Sequence, residues 1–184
     1  MNGNKKFTAI LLLVLGFGAS STAAAFSSSD VTSLKTSNAC KKCDLVSAKL
    51  SGLDLAEADL SRARLIKAKL GESNLFNANL SRAKLGKADL SEANLFNADL
   101  TRANLSKADL TEANLFNADL TRANLSKANL TGASLFNADL TLANLERANL
   151  TGADLSTATF KDTKLDGVIL CKTKMPSSVE NSGC

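Results

Sequence analysis

The four cysteines of this 184-residue chain are the residues whose types and spacing most directly suggest chemistry. Cys40 and Cys43 enclose two lysines, and neighbouring cations favour the reactive thiolate form of a cysteine. This CxxC spacing is typical of a redox dithiol and also of a structural disulfide. Cys171 and Cys184 lie near the carboxyl terminus, so four cysteines allow three pairings. A disulfide framework is the common outcome in an exported chain.

No other catalytic group accompanies these cysteines. The chain has no His, Trp or Tyr, and it contains neither a Ser-His-Asp set nor a glycine-rich phosphate loop. No thioredoxin-like βαβ pattern surrounds Cys40, and the two cysteine pairs stand at opposite ends of the chain, which disfavours a shared zinc site. We therefore expect no enzyme, no cofactor and no metal, and keep a CxxC thiol–disulfide protein as an alternative.

The two ends of the chain differ in composition from its centre. Residues 1–25 resemble a signal peptide, with Lys5 and Lys6 before an apolar run and an Ala23-Ala24-Ala25 cleavage site. Residues 26–39 are polar, and we expect a flexible lead-in. Residues 40–172 form one domain, followed by a capping tail over 173–184. Removal of the signal peptide predicts an exported protein with no membrane attachment, in the periplasm, the extracellular space or the thylakoid lumen.

The central segment is built on a period of five. Leucine occupies every fifth position from Leu45 to Leu170, with Phe160 as the one exception. Alanine usually stands two places before each leucine, and the residue between them is usually Asp or Asn. A helix repeats every 3.6 residues and a strand every 2, so neither buries a five-residue stripe. The period predicts a chain that turns a corner every five residues and buries one large and one small side chain per turn.

This A(D/N)LXX pattern resembles the pentapeptide-repeat family over about residues 43–172. The resemblance implies an all-β fold, a right-handed quadrilateral β-helix (a solenoid) with four pentapeptides per coil. The repeat then makes about 6.5 coils and a rod roughly 30 Å long, because stacked strands lie about 4.8 Å apart. Ends this far apart lie beyond disulfide reach. On this fold the cysteines pair as Cys40–Cys43 and Cys171–Cys184, each closing one end of the rod.

A second period of 20 residues agrees with four sides of five. Phenylalanine recurs at this interval, and each phenylalanine is followed by an asparagine that we expect to bond between coils. In the implied fold these positions face outward, so the rings form an apolar stripe that either stacks for stability or binds a protein. The set comprises Phe76, Phe96, Phe116, Phe136, Asn77, Asn97, Asn117 and Asn137.

Three functions remain open from the sequence, and one of them is the CxxC thiol–disulfide protein described above. The favoured one is a non-enzymatic structural or protein-binding rod, with an unidentified partner or a second copy of the chain on the phenylalanine stripe. Some members of the resembled family mimic DNA and modulate gyrase, which gives a DNA-mimicking topoisomerase modulator as an alternative. Acidic columns here stand beside columns of Arg and Lys, which argues against this mimicry. The near-balanced charge and the export signal argue against a nucleic-acid partner.

Overall fold

A computed structural model describes residues 26–177 and residue 184. From Cys40 onward the chain repeats one five-residue unit, a β-turn followed by a short extended step. The unit at Leu100 is representative, since the N–H of Ala103 donates to the carbonyl of Leu100 over 2.9 Å. Arg102 is in the left-handed region with φ of 57°. Each turn redirects the chain, so the repeat forms corners joined by short sides.

Parallel β-bridges connect residues that are 20 positions apart, such as Asp99 with Asp119. Two hydrogen bonds flank this bridge, from Leu100 N to the Asp119 carbonyl over 2.8 Å and from Asp119 N to the Ala98 carbonyl over 3.0 Å. Four pentapeptides therefore complete one coil of a four-sided solenoid. The described residues contain these isolated bridges and no extended strand, because each side offers too few residues before the next corner.

The core is a continuous column of leucine and alanine. The side chains of Leu100, Leu120 and their equivalents from Leu60 to Leu155 are fully or almost fully excluded from solvent. Complete burial of a leucine side chain contributes about 1.5–3 kcal/mol. The alanines, such as Ala98 and Ala103, fill the narrow space between leucines of neighbouring sides. The predicted alternation of a large and a small inward residue is therefore present in the structure.

An α-helix, α1, spans Ser28–Ser37 and covers the amino-terminal end of the solenoid. The expectation of a flexible lead-in over 26–39 is wrong for this helix. Ser27 caps its start by accepting the N–H of Asp30, and Leu34 is only 1% exposed against the first coil. Asp30 also accepts the N–H of Asp44 over 2.7 Å. These contacts anchor a helix whose own apolar residues are too few to predict it.

The bridged region extends slightly beyond the expected repeat boundaries. Bridges run from Ala39, paired with Asp59, to Lys174, paired with Asp154. Pairing thus continues two residues past the expected boundary at residue 172. The expected signal peptide at 1–25 lies outside the described residues, as does the 178–183 part of the tail. Within the described part of the chain, no helix combines the length and apolar character that crossing a membrane requires.

Candidate functional site

A single corner of the solenoid carries the phenylalanines. Successive rings stack in adjacent coils with centroid distances of 5.5, 5.1 and 5.3 Å and interplanar angles of 17°, 2° and 15°. Phe76 is 36% exposed, while the other three rings are half-buried by their neighbours in the stack. We call this set the phenylalanine corner: Phe76, Phe96, Phe116 and Phe136. It is a continuous aromatic column with its outer edges in solvent.

The asparagine after each phenylalanine has a backbone role. Asn77, Asn97 and Asn117 have φ values of 54°, 54° and 56°, and asparagine tolerates this left-handed conformation better than most residues. Their side chains make no hydrogen bond to any described residue, so the expected bonding between coils does not occur there. These exposed amides therefore border the rings with unused donors and acceptors.

The asparagine ladder that does bond between coils lies two residues before the phenylalanines. Asn94 donates to Asn74 over 3.1 Å, and Asn114 donates to Asn94 over 3.3 Å. Each side-chain oxygen also accepts the N–H of the phenylalanine two residues later, as from Phe96 N to Asn94 over 3.3 Å. The sequence feature that could have revealed this ladder is the preference for Asp or Asn before each leucine. These two residue types form Asx turns.

The same turn-capping contact explains the aspartates of the repeat. Asp89 accepts the hydroxyl of Ser91 over 2.7 Å and its N–H over 3.3 Å. The Ser91 hydroxyl is the main cause of a lowered pKa of Asp89, assisted by the Ser91 N–H and by Lys69, while burial acts in the opposite direction. Asp154 has a lowered pKa for the same reasons, led by the hydroxyl of Ser156.

Charged columns occupy the remaining corners, and none of their described members forms an ion pair. Within the described residues the ion pairs are Arg64 with Asp44, Lys69 with Asp89, and Lys174 with Asp154, all at the surface. The arginine column does not pair with its neighbouring aspartates, which cap turns instead. Its members are Arg62, Arg82, Arg102 and Arg122.

Disulfides lie at both ends of the solenoid, pairing Cys40 with Cys43 and Cys171 with Cys184. Cys40 is 2% exposed, and its sulfur lies 3.1 Å from the carbonyl oxygen of Asp30 in α1. An external thiolate would have to displace this cover to attack the Cys40 sulfur. This arrangement suits a bond that holds the end of the rod.

The geometry defines a class, namely a four-sided β-solenoid of stacked five-residue turns with a leucine–alanine core. The chain belongs to the pentapeptide-repeat family. The family model described as pentapeptide repeats matches in eight copies, over residues 43–77, 73–111, 113–152 and 138–175. The match therefore includes all four residues of the phenylalanine corner. No curated protein matches the chain.

Several solved structures are similar to the chain. A pentapeptide repeat protein from the Arabidopsis thaliana thylakoid lumen is 30% identical over 70% of this chain and 72% of its own, with a TM-score of 0.34. The pentapeptide repeat protein Rfr23 from the cyanobacterium Cyanothece 51142 is 29% identical over 80% and 97%, with a TM-score of 0.39. QnrB1, a plasmid-mediated fluoroquinolone resistance protein, is 17% identical over 76% and 82%, with a TM-score of 0.49.

Proposed function

We propose that the chain is an exported, non-enzymatic rod that binds a protein partner through the phenylalanine corner. The stacked rings with exposed outer edges carry this proposal. Rings that served stacking alone would gain from complete cover, because burying apolar surface is favourable. Here the column is open along one side, and Phe76 at its end is the most exposed ring.

The asparagines beside the rings support the same proposal. Asn97 and Asn117 present amide groups without side-chain partners among the described residues, next to the ring edges. An aromatic column bordered by free amides offers both apolar area and hydrogen-bond groups, the combination found in protein interfaces. The rigid Asn74–Asn94–Asn114 ladder behind it holds the rings at fixed positions, which lowers the entropy lost on binding.

Export and architecture belong to the same proposal. The composition of residues 1–25 supports a cleaved signal peptide and a location in the periplasm, the extracellular space or the thylakoid lumen. Residues 173–184 would then act as a cap, tied to the solenoid by Cys171–Cys184. We further infer a right-handed coil of about 6.5 turns, on the basis of four pentapeptides per turn.

A crosslinked pull-down from the exported fraction of the source cells tests the binding. The test variant carries Phe96→Ser and Phe116→Ser, and the control carries Ser106→Ala and Ser126→Ala, at the same repeat position on another corner. A protein, or a second copy of the chain, that is captured by wild type and control but lost from the phenylalanine variant supports the proposal. Equal capture by all three folded proteins would refute it. Circular dichroism establishes that each variant folds.

A further inference from the structure

The corner diagonally opposite the phenylalanines has an interruption in its column of side chains. The residue after each leucine on this side is Ile66, then Gly86, then Ser106 in successive coils. Gly86 has no side chain, and a shallow depression of about 300 Å³ opens over it. We call it the lysine notch, and its principal residues are Lys67, Lys84, Gly86, Lys87, Ser106 and Lys107.

Neither packing nor backbone conformation requires glycine at this position. A Cβ atom built on Gly86 would lie 3.7 Å from the Ser106 hydroxyl oxygen and 3.8 Å from its carbonyl oxygen, which are ordinary contacts. Gly86 is also outside the left-handed region, unlike Gly132 with its φ of 68°. The space over Gly86 is therefore not explained by the needs of the fold.

The backbone N–H of Gly86 is a free donor at the floor of the notch. In the next coil, the equivalent N–H of Ser106 donates to Oδ1 of Asn104 over 3.0 Å. The residue at the capping position before Gly86 is Lys84, which has no acceptor, and no other described residue accepts this N–H. By the geometry of the repeat, the Gly86 N–H points toward the surface where the Lys84 side chain begins.

Four lysines surround this donor, and none of them forms an ion pair with a described residue. Lys67, Lys87 and Lys107 occupy the same corner in successive coils, roughly 4.8 Å apart along the solenoid axis, while Lys84 lies beside the notch. Like charges at this spacing repel one another, so a bound anion relieves the repulsion. A surface-directed N–H with ammonium groups around it offers an oxyanion one neutral donor and several charged donors.

We propose that the lysine notch binds a tetrahedral oxyanion, a phosphate or sulfate group, with one oxygen on the Gly86 N–H and the others on the lysine ammonium groups. The site is independent of the phenylalanine corner, which lies two sides away around the coil. A free phosphate or sulfate ester and a phospholipid headgroup present the same chemistry to it.

Amide NMR of the intact, disulfide-bonded chain gives a direct readout. Inorganic phosphate and sulfate are titrated at constant ionic strength, with chloride as the control anion. A site-specific resonance is needed because sulfate and phosphate also stabilise folded proteins without binding to a specific site. The Gly86 resonance should shift saturably with both oxyanions and not with chloride. Gly71 is the internal control, since it also stands two residues after a lysine, but that lysine, Lys69, is already paired with Asp89 over 3.2 Å.

Lys84→Asn is the decisive variant, because it installs the repeat's usual cap for the Gly86 N–H and removes one cation. The affinity should fall by about tenfold or more, the effect of losing a hydrogen bond to a charged group. The fold should be as stable as before. The matched control is Lys164→Asn, the same change at the same repeat position four coils away, and it should bind like wild type. An unmoved Gly86 resonance, or undiminished affinity in Lys84→Asn, would overturn the proposal.

Vesicles distinguish the two sources of the oxyanion. Cosedimentation with phosphatidylglycerol vesicles, absent with phosphatidylcholine and lost in Lys84→Asn, assigns the notch to a lipid headgroup. Saturable binding of inorganic phosphate with no cosedimentation assigns it to a soluble ester. The site itself is contradicted if two results occur together. Cosedimentation is then unchanged in Lys84→Asn, and the Gly86 resonance of the wild-type chain does not respond to phosphate.

Discussion

Asn94 donates from its side-chain nitrogen to the side-chain oxygen of Asn74 in the preceding coil, over 3.1 Å. The same oxygen of Asn74 accepts the backbone N–H of Phe76 over 3.3 Å. One amide group therefore links two coils and fixes the turn that carries a ring of the phenylalanine corner. The position of the proposed binding surface is thus determined by residues behind it that a partner does not touch.

Removing this amide should loosen the corner. Asn94→Ala leaves the N–H of Phe96 and the side-chain N–H of Asn114 without their acceptor, and we expect a loss of about 1–2 kcal/mol in the free energy of unfolding. Urea denaturation followed by circular dichroism measures it. The control is Asn97→Gly, which removes an amide without such bonds and keeps a residue suited to φ of 54°. Equal destabilisation by both variants would show that the ladder contributes nothing specific.

Polar substitution in the core should unfold several coils. Leu100 is fully buried among leucines and alanines of its own and adjacent coils. Leu100→Asp places a carboxylate there without a partner, and Leu100→Ala should already lower stability by about 2–5 kcal/mol. The exposed Arg102→Lys is the control and should melt like wild type. An unchanged melting curve and circular dichroism spectrum for Leu100→Asp would contradict the assigned core.

Acid should destabilise the solenoid through its capping aspartates. Asp59, Asp89 and Asp154 have pKa values below the ordinary 3.8 in the folded chain. Their contribution is complete above that ordinary value and is lost as the pH falls through the lower folded values. Melting temperatures measured from about pH 6 to about pH 2 should therefore drop below pH 4. Ser91→Ala removes the main cause of the lowered pKa of Asp89 and should make the drop in melting temperature shallower. A steeper drop would contradict the capping role of Asp89.

The carboxyl-terminal disulfide should stabilise its own end. Replacing Cys171 and Cys184 by serine opens a loop with a sequence separation of 13, which chain-entropy estimates value at about 3 kcal/mol. Hydrogen exchange should become faster in the last coil and stay slow around Leu100, since a solenoid is stabilised mainly between neighbouring coils. Faster exchange along the whole chain, or exchange rates that do not change anywhere, would contradict a local role for this bond.

The sequence predicted the parts of the fold that depend on periodicity. The five-residue leucine repeat was enough to anticipate the buried column, while the four sides came from the family resemblance, with which the 20-residue phenylalanine spacing agrees. Helix α1 was missed because Val31 and Leu34 are its only core contacts and its other residues are polar. Its stability comes from capping and from Asp30, which binds a backbone N–H in the first coil.

The sequence was less informative about side-chain bonding within the candidate site. It directed attention to Asn77 and Asn97, whereas the bonded ladder is formed by Asn74, Asn94 and Asn114. Both columns have the same residue type and the same period, so only backbone geometry separates them. The sequence shows Lys84 where most repeats have Asp or Asn. Only the structure shows that this residue type would otherwise accept the backbone N–H of Gly86.

Site-specific photo-crosslinking tests the central claim most directly, because it keeps an aromatic residue in the stack. Phe96→p-benzoylphenylalanine places the reactive ring in the phenylalanine corner, and Ser106→p-benzoylphenylalanine places it at the equivalent position on the opposite corner. Both proteins are irradiated in the exported fraction of the source cells. We predict one discrete adduct, with a partner or a second copy, from position 96 and not from position 106. The same adducts from both positions, or none from either, would contradict a binding role for this corner.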